Sequence, residues 1–240
     1  MRLKLFLSTF LLLCSSVSLF AQTEYTVPRL RISASGGLGY LVAEGSTGGT
    51  GSIVNVEKIT QFNNDLRWTP SLNADVHYLF KDWGLGVKYI FNTSSATATD
   101  LIVDVQDNQH YLVGDASEKM YVNYVGLSVS GQYRFGREER FQFFASSSGG
   151  YARLRDESHV LMRNMLITGN AYGVNYEMGI EYFLNSNFSW GLNTAFFWTN
   201  FYTVKVTDGI STEVKKLGRE DNINVSNVNL TTGLRYYINK

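Results

Sequence analysis

Residues 172–182 read YGVNYEMGIEY, and their apolar and polar side chains alternate at every position. A period of two is typical of a β-strand, because successive side chains of a strand point to opposite faces of its sheet. One face carries Tyr, Val, Met and Ile, and the other carries only Gly, Asn and Glu. The stretch therefore predicts a strand that separates an apolar environment from a polar one.

The same alternation recurs in seven further segments, which lie at residues 30–42, 72–80, 83–92, 125–135, 141–151, 188–198 and 228–238. No internal repeat and no linker interrupts the series, so we predict one all-β domain of eight antiparallel strands. Residues 53–56 and 101–105 also alternate. They either extend neighbouring strands as β-hairpins or add a strand pair, which leaves ten strands as the alternative number.

The predicted connections between strands alternate in length. Tight turns follow the second, fourth and sixth strands, whereas long segments follow the others, at residues 44–67, 93–120, 154–170 and 206–222. Outer-membrane barrels have this layout, with short periplasmic turns and long extracellular loops. We therefore predict a single transmembrane up-and-down β-barrel with four long extracellular loops.

The aromatic content decides which face of the predicted sheet meets lipid. The chain has 15 Tyr, 15 Phe and 4 Trp, and most of these rings fall on the apolar face. An eight-stranded barrel encloses room for side chains or one small ligand, so a soluble barrel could not hold them inside. Tyr and Trp are enriched where a membrane meets water, and we predict an interface role for Tyr40, Tyr78, Trp83, Tyr151, Tyr182, Trp190, Trp198 and Tyr236.

The opposite face carries ionisable side chains, which we predict to form one charge network in the lumen: Arg31, Asp75, His77, Lys88, Arg134, Glu177, Glu181 and Arg235. Because an isolated buried ion is costly, these charges must be paired or hydrated. We expect an internal network that fills the lumen. The alternative is a narrow porin-like channel for small solutes, in which the same charges line a path for water.

The N-terminus predicts export. Arg2 and Lys4 precede a short apolar run from Leu5 to Leu13, small and polar residues follow, and Ala21 offers a small residue for cleavage, which is typical of a secretory signal peptide. We predict that residues 1–21 are removed and that residues 22–240 form the outer-membrane barrel. Lys and Arg number 21, as do Asp and Glu, so loss of Arg2 and Lys4 leaves a net charge of −2, which argues against a nucleic-acid partner.

The chain also resembles the outer-membrane β-barrel proteins of Gram-negative bacteria, in particular the OmpA-like and PorT-like barrels of Bacteroidota. The resemblance rests on Phe20-Ala21-Gln22, on Gly36-Gly37-Leu38-Gly39-Tyr40 and on Gly233-Leu234-Arg235-Tyr236-Tyr237-Ile238. It implies residence in the cell outer membrane, contact with the barrel-insertion machinery and, for PorT-like barrels, a part in a secretion apparatus. Such barrels usually end in an aromatic residue, whereas Asn239 and Lys240 follow Ile238 here.

No arrangement in the sequence predicts catalysis, a cofactor or a metal site. His77 lies near Asp75, but no spacing links His77, His110 or His159 to a serine in a known catalytic pattern. We therefore expect a non-enzymatic structural or interaction protein that uses its long loops or its periplasmic rim. An outer-membrane lipid-modifying enzyme is the further alternative.

Outer-membrane lipid and lipopolysaccharide are the expected surroundings of the barrel. Lys215, Lys216 and Arg219 form a basic cluster in the last long loop, and such a cluster can contact lipopolysaccharide phosphates.

Overall fold

The computed structural model describes residues 29–42, 54–104 and 111–238. The predicted signal peptide at residues 1–21 and His110 lie outside these ranges. The described chain contains one α-helix, α1 (Val56–Leu66), a 3-10 turn (Arg137–Glu139) and eleven strands. The strands are β1 (Leu30–Leu41), β2 (Trp68–Phe80), β3 (Trp83–Asp104), β4 (Tyr111–Phe135), β5 (Phe141–Val160), β6 (Arg163–Phe183), β7 (Phe188–Phe201), β8 (Thr203–Thr207), β9 (Thr212–Lys216), β10 (Ile223–Asn224) and β11 (Asn227–Ile238).

Eight of the strands close into a barrel. Strands β1 to β7 each pair antiparallel with the next, and β11 pairs with both β7 and β1. The closing seam runs from Leu30 opposite Ile238 to Leu41 opposite Asn227. Closure leaves no unpaired edge in the membrane. The prediction of eight ring strands is therefore confirmed, and β8, β9 and β10 are additions outside the ring.

Strands β3 to β6 are much longer than a membrane requires. They contain 22, 25, 20 and 21 residues, whereas about 9–11 residues cross a bilayer. The short turns mark the periplasmic rim, so the excess length extends outward from the cell. Leu101–Asp104 pairs with residues 111–114, which confirms the hairpin interpretation of that fragment.

The prediction of a long loop was therefore wrong for two of the four connections. Most of residues 93–120 and 154–170 is paired strand, and only Leu161 and Met162 form the turn between β5 and β6. These residues pair beyond the bilayer, where an outward face needs no apolar side chains. Apart from residues 101–105, their sequence consequently lacks the alternation that marks a lipid-facing strand.

The other two connections do carry long loops. In the first, helix α1 packs Phe62 and Leu66 against Ala96 and Leu101 of β3. Residues 54–56 lead into this helix and form no strand, contrary to both interpretations of that fragment. In the last, β8 adds to the upper part of β6, with Leu166 opposite Thr207, and β9 adds to β8. We call residues 93–104, 111–123 and 152–170 together with β8 and β9 the extracellular wall.

The outer surface of the barrel is apolar and the interior is polar. Leu72, Leu85 and Leu127 are exposed on the outside, whereas Asn73, Lys88 and Ser128 are buried inside. On β6, Tyr172 and Tyr182 bound the exposed apolar band; about ten strand residues tilted by about 40° span roughly 25 Å, the height of a lipid-facing belt. The orientation predicted for the two faces is therefore the one that the fold has.

Candidate functional site

The polar centre of the lumen begins with a cluster on β1 and β2. Arg31 places Nη2 3.3 Å from Oδ1 of Asp75 and 3.0 Å from Nδ1 of His77. The same carboxylate accepts a hydrogen bond from the Ser33 hydroxyl. All of these side chains are less than a tenth exposed. Direct pairing of β1 with β2 sets Arg31 opposite His77 and Ser33 opposite Asp75, which produces the cluster.

His77 connects this cluster to a third strand. Its Nδ1 lies 2.8 Å from Oδ1 of Asp75, and its Nε2 lies 3.0 Å from Oγ of Ser128 on β4. Ser, His and Asp in this order form the chain of contacts of a nucleophilic triad. Ser128 was not predicted as a partner of His77, because 51 residues separate them and only the register of β2, β3 and β4 sets them in one row, with Gly86 between them.

A second cluster joins β3, β6 and β11. Lys88 forms an ion pair with Glu177, and Nε of Arg235 lies 3.2 Å from Oε1 of Glu181. Arg235 is also 3.9 Å from Glu177, which connects the two pairs. The hydroxyl of Tyr237 donates to Glu181 at 2.8 Å. The two clusters together contain three buried cations and three buried carboxylates. The cations are Arg31, Lys88 and Arg235, and the carboxylates are Asp75, Glu177 and Glu181.

Phe144 on β5 lies between the two clusters. The guanidinium carbon of Arg235 is 4.1 Å from its ring centroid, and that of Arg31 is 5.8 Å away. An aromatic face attracts a guanidinium at these distances. The alternation predicted Gly, Ser, Asn and charged side chains inside, but it did not predict Phe144 and Tyr237 there. Each follows another aromatic residue, Phe143 or Tyr236, which hides the change of face.

Apolar side chains pack inside the barrel on both sides of these charges. Toward the periplasm, Leu79, Phe183 and Tyr237 pack together. Arg134, the eighth member of the predicted network, is half-buried at this rim, with its guanidinium 4.0 Å from the Phe183 ring and its Nε donating to Gln142. Toward the outside lies a larger cluster, which includes Ile90, Val122, Tyr124, Leu154, Phe197 and Phe201.

A small cavity lies beside the outer apolar layer. Its volume is about 10 Å³, and Thr69, Asn92, Ser94 and Asn227 contribute polar side chains to its wall. This volume suits about one water molecule. Within the described ranges, no group of three or more His, Asp, Glu or Cys side chains could hold a metal ion, and no helix is long and apolar enough to span a bilayer.

The predicted interface aromatics lie at two levels of the outer surface. Tyr40 meets Trp68 edge-on at 5.4 Å, and Tyr151 lies opposite Tyr172, so these residues mark the outer level together with Trp198. Tyr78, Trp83, Tyr182, Trp190 and Tyr236 lie near the periplasmic ends of their strands. All are exposed except Tyr182, which is half-buried and packs against Phe141.

Comparison with solved structures agrees with this fold. The chain is similar to the outer membrane protease OmpT from Escherichia coli, with a TM-score of 0.51, 12% identity and coverage of 90% of this chain and 99% of that chain. OprG from Pseudomonas aeruginosa gives a TM-score of 0.49, 13% identity and coverage of 90% and 98%. A major outer membrane protein from Thermus thermophilus gives a TM-score of 0.46 and 13% identity, with coverage of 87% of this chain and 99% of that chain. No protein-family model and no curated protein matches the chain.

The closed ring, the apolar belt and the short periplasmic turns define an outer-membrane β-barrel. An exposed belt of this height is stable only in lipid, because water would have to solvate its many aromatic and aliphatic side chains. The protein therefore resides in the outer membrane. At this level of identity the likeness to solved structures shows the fold alone, and the activity of OmpT is a property of that protein.

Proposed function

We propose that this chain is a non-enzymatic outer-membrane barrel that is closed to solutes and meets its partners through the extracellular wall. The observation that carries the proposal is the filled lumen. Paired charges occupy its centre, and apolar side chains pack together above and below them. A porin-like channel needs a continuous path for water, and the filled interior supports a barrel whose work is done on its surface.

The two ends of the barrel differ in what they offer a partner. On the periplasmic side, the connection between β2 and β3 is only Lys81 and Asp82. On the outer side, the extracellular wall continues the long strands β3 to β6 into the surroundings of the cell. A rigid scaffold that presents long segments is a common basis for recognition. The extracellular side is therefore the favoured interaction surface.

Conductance measurements test the closed lumen. Refolded protein in a planar bilayer is expected to give no steady current. A triple variant, Phe144→Ala, Tyr124→Ala and Phe197→Ala, removes three of the large buried rings of the lumen and is the positive comparison, because it should give flickering or steady openings. A steady open current from the parent protein would overturn the closed barrel in favour of the channel alternative.

Single cysteines test which end meets a partner. The only cysteine, Cys14, lies within the predicted signal peptide, so an introduced cysteine would be unique in the processed chain. Met162 is 96% exposed at the tip of the β5–β6 hairpin, and Asp82 lies in a periplasmic turn. Crosslinking in intact cells is expected to give an adduct with Met162→Cys. An adduct only with Asp82→Cys would favour a periplasmic partner, as in a secretion apparatus.

The Ser128–His77–Asp75 chain of contacts favours a hydrolase as the second candidate function. A nucleophile must be reachable by its substrate, and Ser128 and His77 are buried beneath the outer apolar layer. Their burial supports a role in filling the lumen. Labelling with a serine-directed fluorophosphonate, with Ser128→Ala as the control, is expected to be absent. Labelling that disappears in the control, or a change in lipid A that is lost in His77→Ala, would favour the enzyme.

A further inference from the structure

We infer that the outward face of the extracellular wall binds the phosphate groups of an outer-leaflet glycolipid such as lipid A. Four of the cationic side chains on this face form what we call the basic patch: Lys119, Arg153, Arg155 and Lys205. Lys216 of β9, opposite Thr203, lies on the same face beside it. The inference rests on the proposed function and deepens it by naming one partner of the wall. The basic patch is distinct from the cluster predicted in the last loop.

Strand register brings the basic patch together. One row across the wall runs from Tyr121 to Arg155, Thr168 and Lys205, each directly opposite the next on β4, β5, β6 and β8. In the row below, Arg153 lies between Asn123 and Asn170. Neighbouring strands are about 4.8 Å apart. The cations therefore fall within an area that one phosphorylated headgroup can span, although 86 residues of sequence separate Lys119 from Lys205.

The basic patch continues the lipid-facing surface of the barrel. Side chains two residues apart on a strand share a face, so Arg153 and Arg155 point the same way as Tyr151. Tyr151 and its cross-strand partner Tyr172 are 50% and 88% exposed and mark the outer aromatic level. Arg153 lies about 7 Å farther along β5. That is the level where the headgroups of the outer leaflet begin, above the acyl chains.

Cations outnumber acids around the basic patch, although Glu157 lies directly opposite Lys119. Glu157 pairs with Arg155, with 2.6 Å between Oε1 and Nη2. Arg153 and Lys205 are exposed and form no ion pair with any side chain that the structure describes. By contrast, the inner face of the same wall carries the carboxyl groups of Glu118 and Asp156. The wall therefore presents cations to the lipid and keeps these acids on its inner face, and this arrangement favours contact with an anionic lipid.

The chemistry favours phosphate over other anions of the membrane. A guanidinium donates two parallel hydrogen bonds to phosphate oxygens, and lysine adds a mobile point charge. Asn123, Thr168 and Asn170 lie among the cations and offer neutral donors for the sugar hydroxyls. The basic cluster predicted at Lys215, Lys216 and Arg219 does not lie together on the outward face, unlike the basic patch. Lys215 lies opposite the buried Val204 and pairs with Glu213 at 3.5 Å, so it faces away from the lipid.

Binding of purified lipid A to the full chain in phosphatidylcholine nanodiscs tests the inference. The double variant Arg153→Gln with Lys205→Gln should bind diphosphorylated lipid A about tenfold more weakly or worse, since each cation near an anionic surface contributes appreciably. The matched control is Arg163→Gln with Lys215→Gln. It removes the same charge from a hairpin tip and from the inner face, and should bind like the parent.

Two comparisons identify the source of the phosphate. Dephosphorylated lipid A should bind the parent as weakly as diphosphorylated lipid A binds the patch variant. Millimolar inorganic phosphate should not compete, because it lacks the sugar and the acyl chains. Equal affinities of parent and patch variant, or tight binding of dephosphorylated lipid A, would overturn the inference.

The outcome is separable from that of the proposed function. A heat-modifiability gel first confirms that each variant is folded. A steady current from the parent would end the closed-barrel proposal while leaving the lipid measurement intact. Loss of the lipid difference between variants would end the inference while leaving the closed lumen intact.

Discussion

Lys88 and Glu177 form an ion pair across the lumen, with Lys88 on β3 and Glu177 on β6, and both side chains are almost completely buried. Two intervening strands separate them around the ring, so the contact exists only in the closed barrel. Removing one partner of a buried pair leaves an unpaired ion, whereas removing both leaves none. The folded barrel is therefore more stable when both charges of the pair are present or both are absent than when one of them remains alone.

We expect Lys88→Met to lower the free energy of unfolding by about 3–5 kcal/mol, because it leaves Glu177 without its main partner. The double variant Lys88→Met with Glu177→Leu should recover most of this loss. Urea unfolding in lipid vesicles measures the values. The control is Arg140→Gln at the exposed pair of Arg140 and Glu138, 2.9 Å apart, which should cost less than about 1 kcal/mol. Equal losses in the single and double variants would contradict an essential role for the pair.

A pair of adjacent phenylalanines tests the two faces of β5. Phe144 is buried between two guanidinium groups, while Phe143 is exposed on the lipid side. Phe144→Ala should cost about 3–5 kcal/mol, since it opens a cavity in a filled interior. In vesicles, Phe143→Ala should cost clearly less, because lipid chains fill the space it leaves. The reverse order in urea unfolding would mean that the faces are exchanged.

The alternation of side chains was enough to predict eight strands and both faces of the barrel, because every lipid-facing strand must repeat it. The partners of the lumen charges could not be predicted in the same way. His77 meets Ser128 only through the register of β2, β3 and β4, and Phe144 meets Arg235 only inside the ring. The extracellular wall was missed for another physical reason. Outside the bilayer, paired strands such as residues 93–99 carry Ser, Thr and Ala, which no lipid requires to alternate with apolar residues.

Gly37 tests the seam between the first and last strands. A Cβ at this position would overlap the carbonyl oxygen of Leu230 and lie 2.7 Å from Cα of Thr231. Both are backbone atoms of the partner strand, which cannot move without opening the seam. Gly37→Ala should therefore reduce the folded fraction on a heat-modifiability gel. Gly149→Ala is the control, since a Cβ there meets nothing within 4 Å. Equal folding of the two variants would show that the seam tolerates a wider spacing.

Asp156 gives the extracellular wall a pH dependence. Its side chain is buried beside Leu154 on β5, opposite Met120 and Ile167. Burial, together with the neighbouring carboxyl groups of Glu118 and Glu157, raises the pKa of Asp156 to about 8. In the unfolded chain the same group titrates near its ordinary value of about 3.9.

The sign of the effect follows from the proton count. Below about pH 4, Asp156 is protonated in both states and has no effect on the free energy of unfolding. Between this pH and about 8 the folded state keeps the proton that the unfolded state has lost, so the stability falls steadily as the pH rises. Asp156→Asn, a neutral side chain of similar shape, should remove this dependence. At pH 8 the variant should be more stable than the parent by a few kcal/mol, and at pH 4 the two should be equal.

Urea unfolding of both proteins at a series of pH values measures the difference, which cancels the titration of the groups that do not interact with Asp156. Glu157→Gln is the control, because Glu157 lies on the outer face of the same strand and pairs with Arg155. It should change the slope far less than Asp156→Asn. Parallel curves for the parent and Asp156→Asn between pH 4 and 8 would mean that water or a cation reaches Asp156 and keeps it ionised, and that the inner face of the wall is open to the medium.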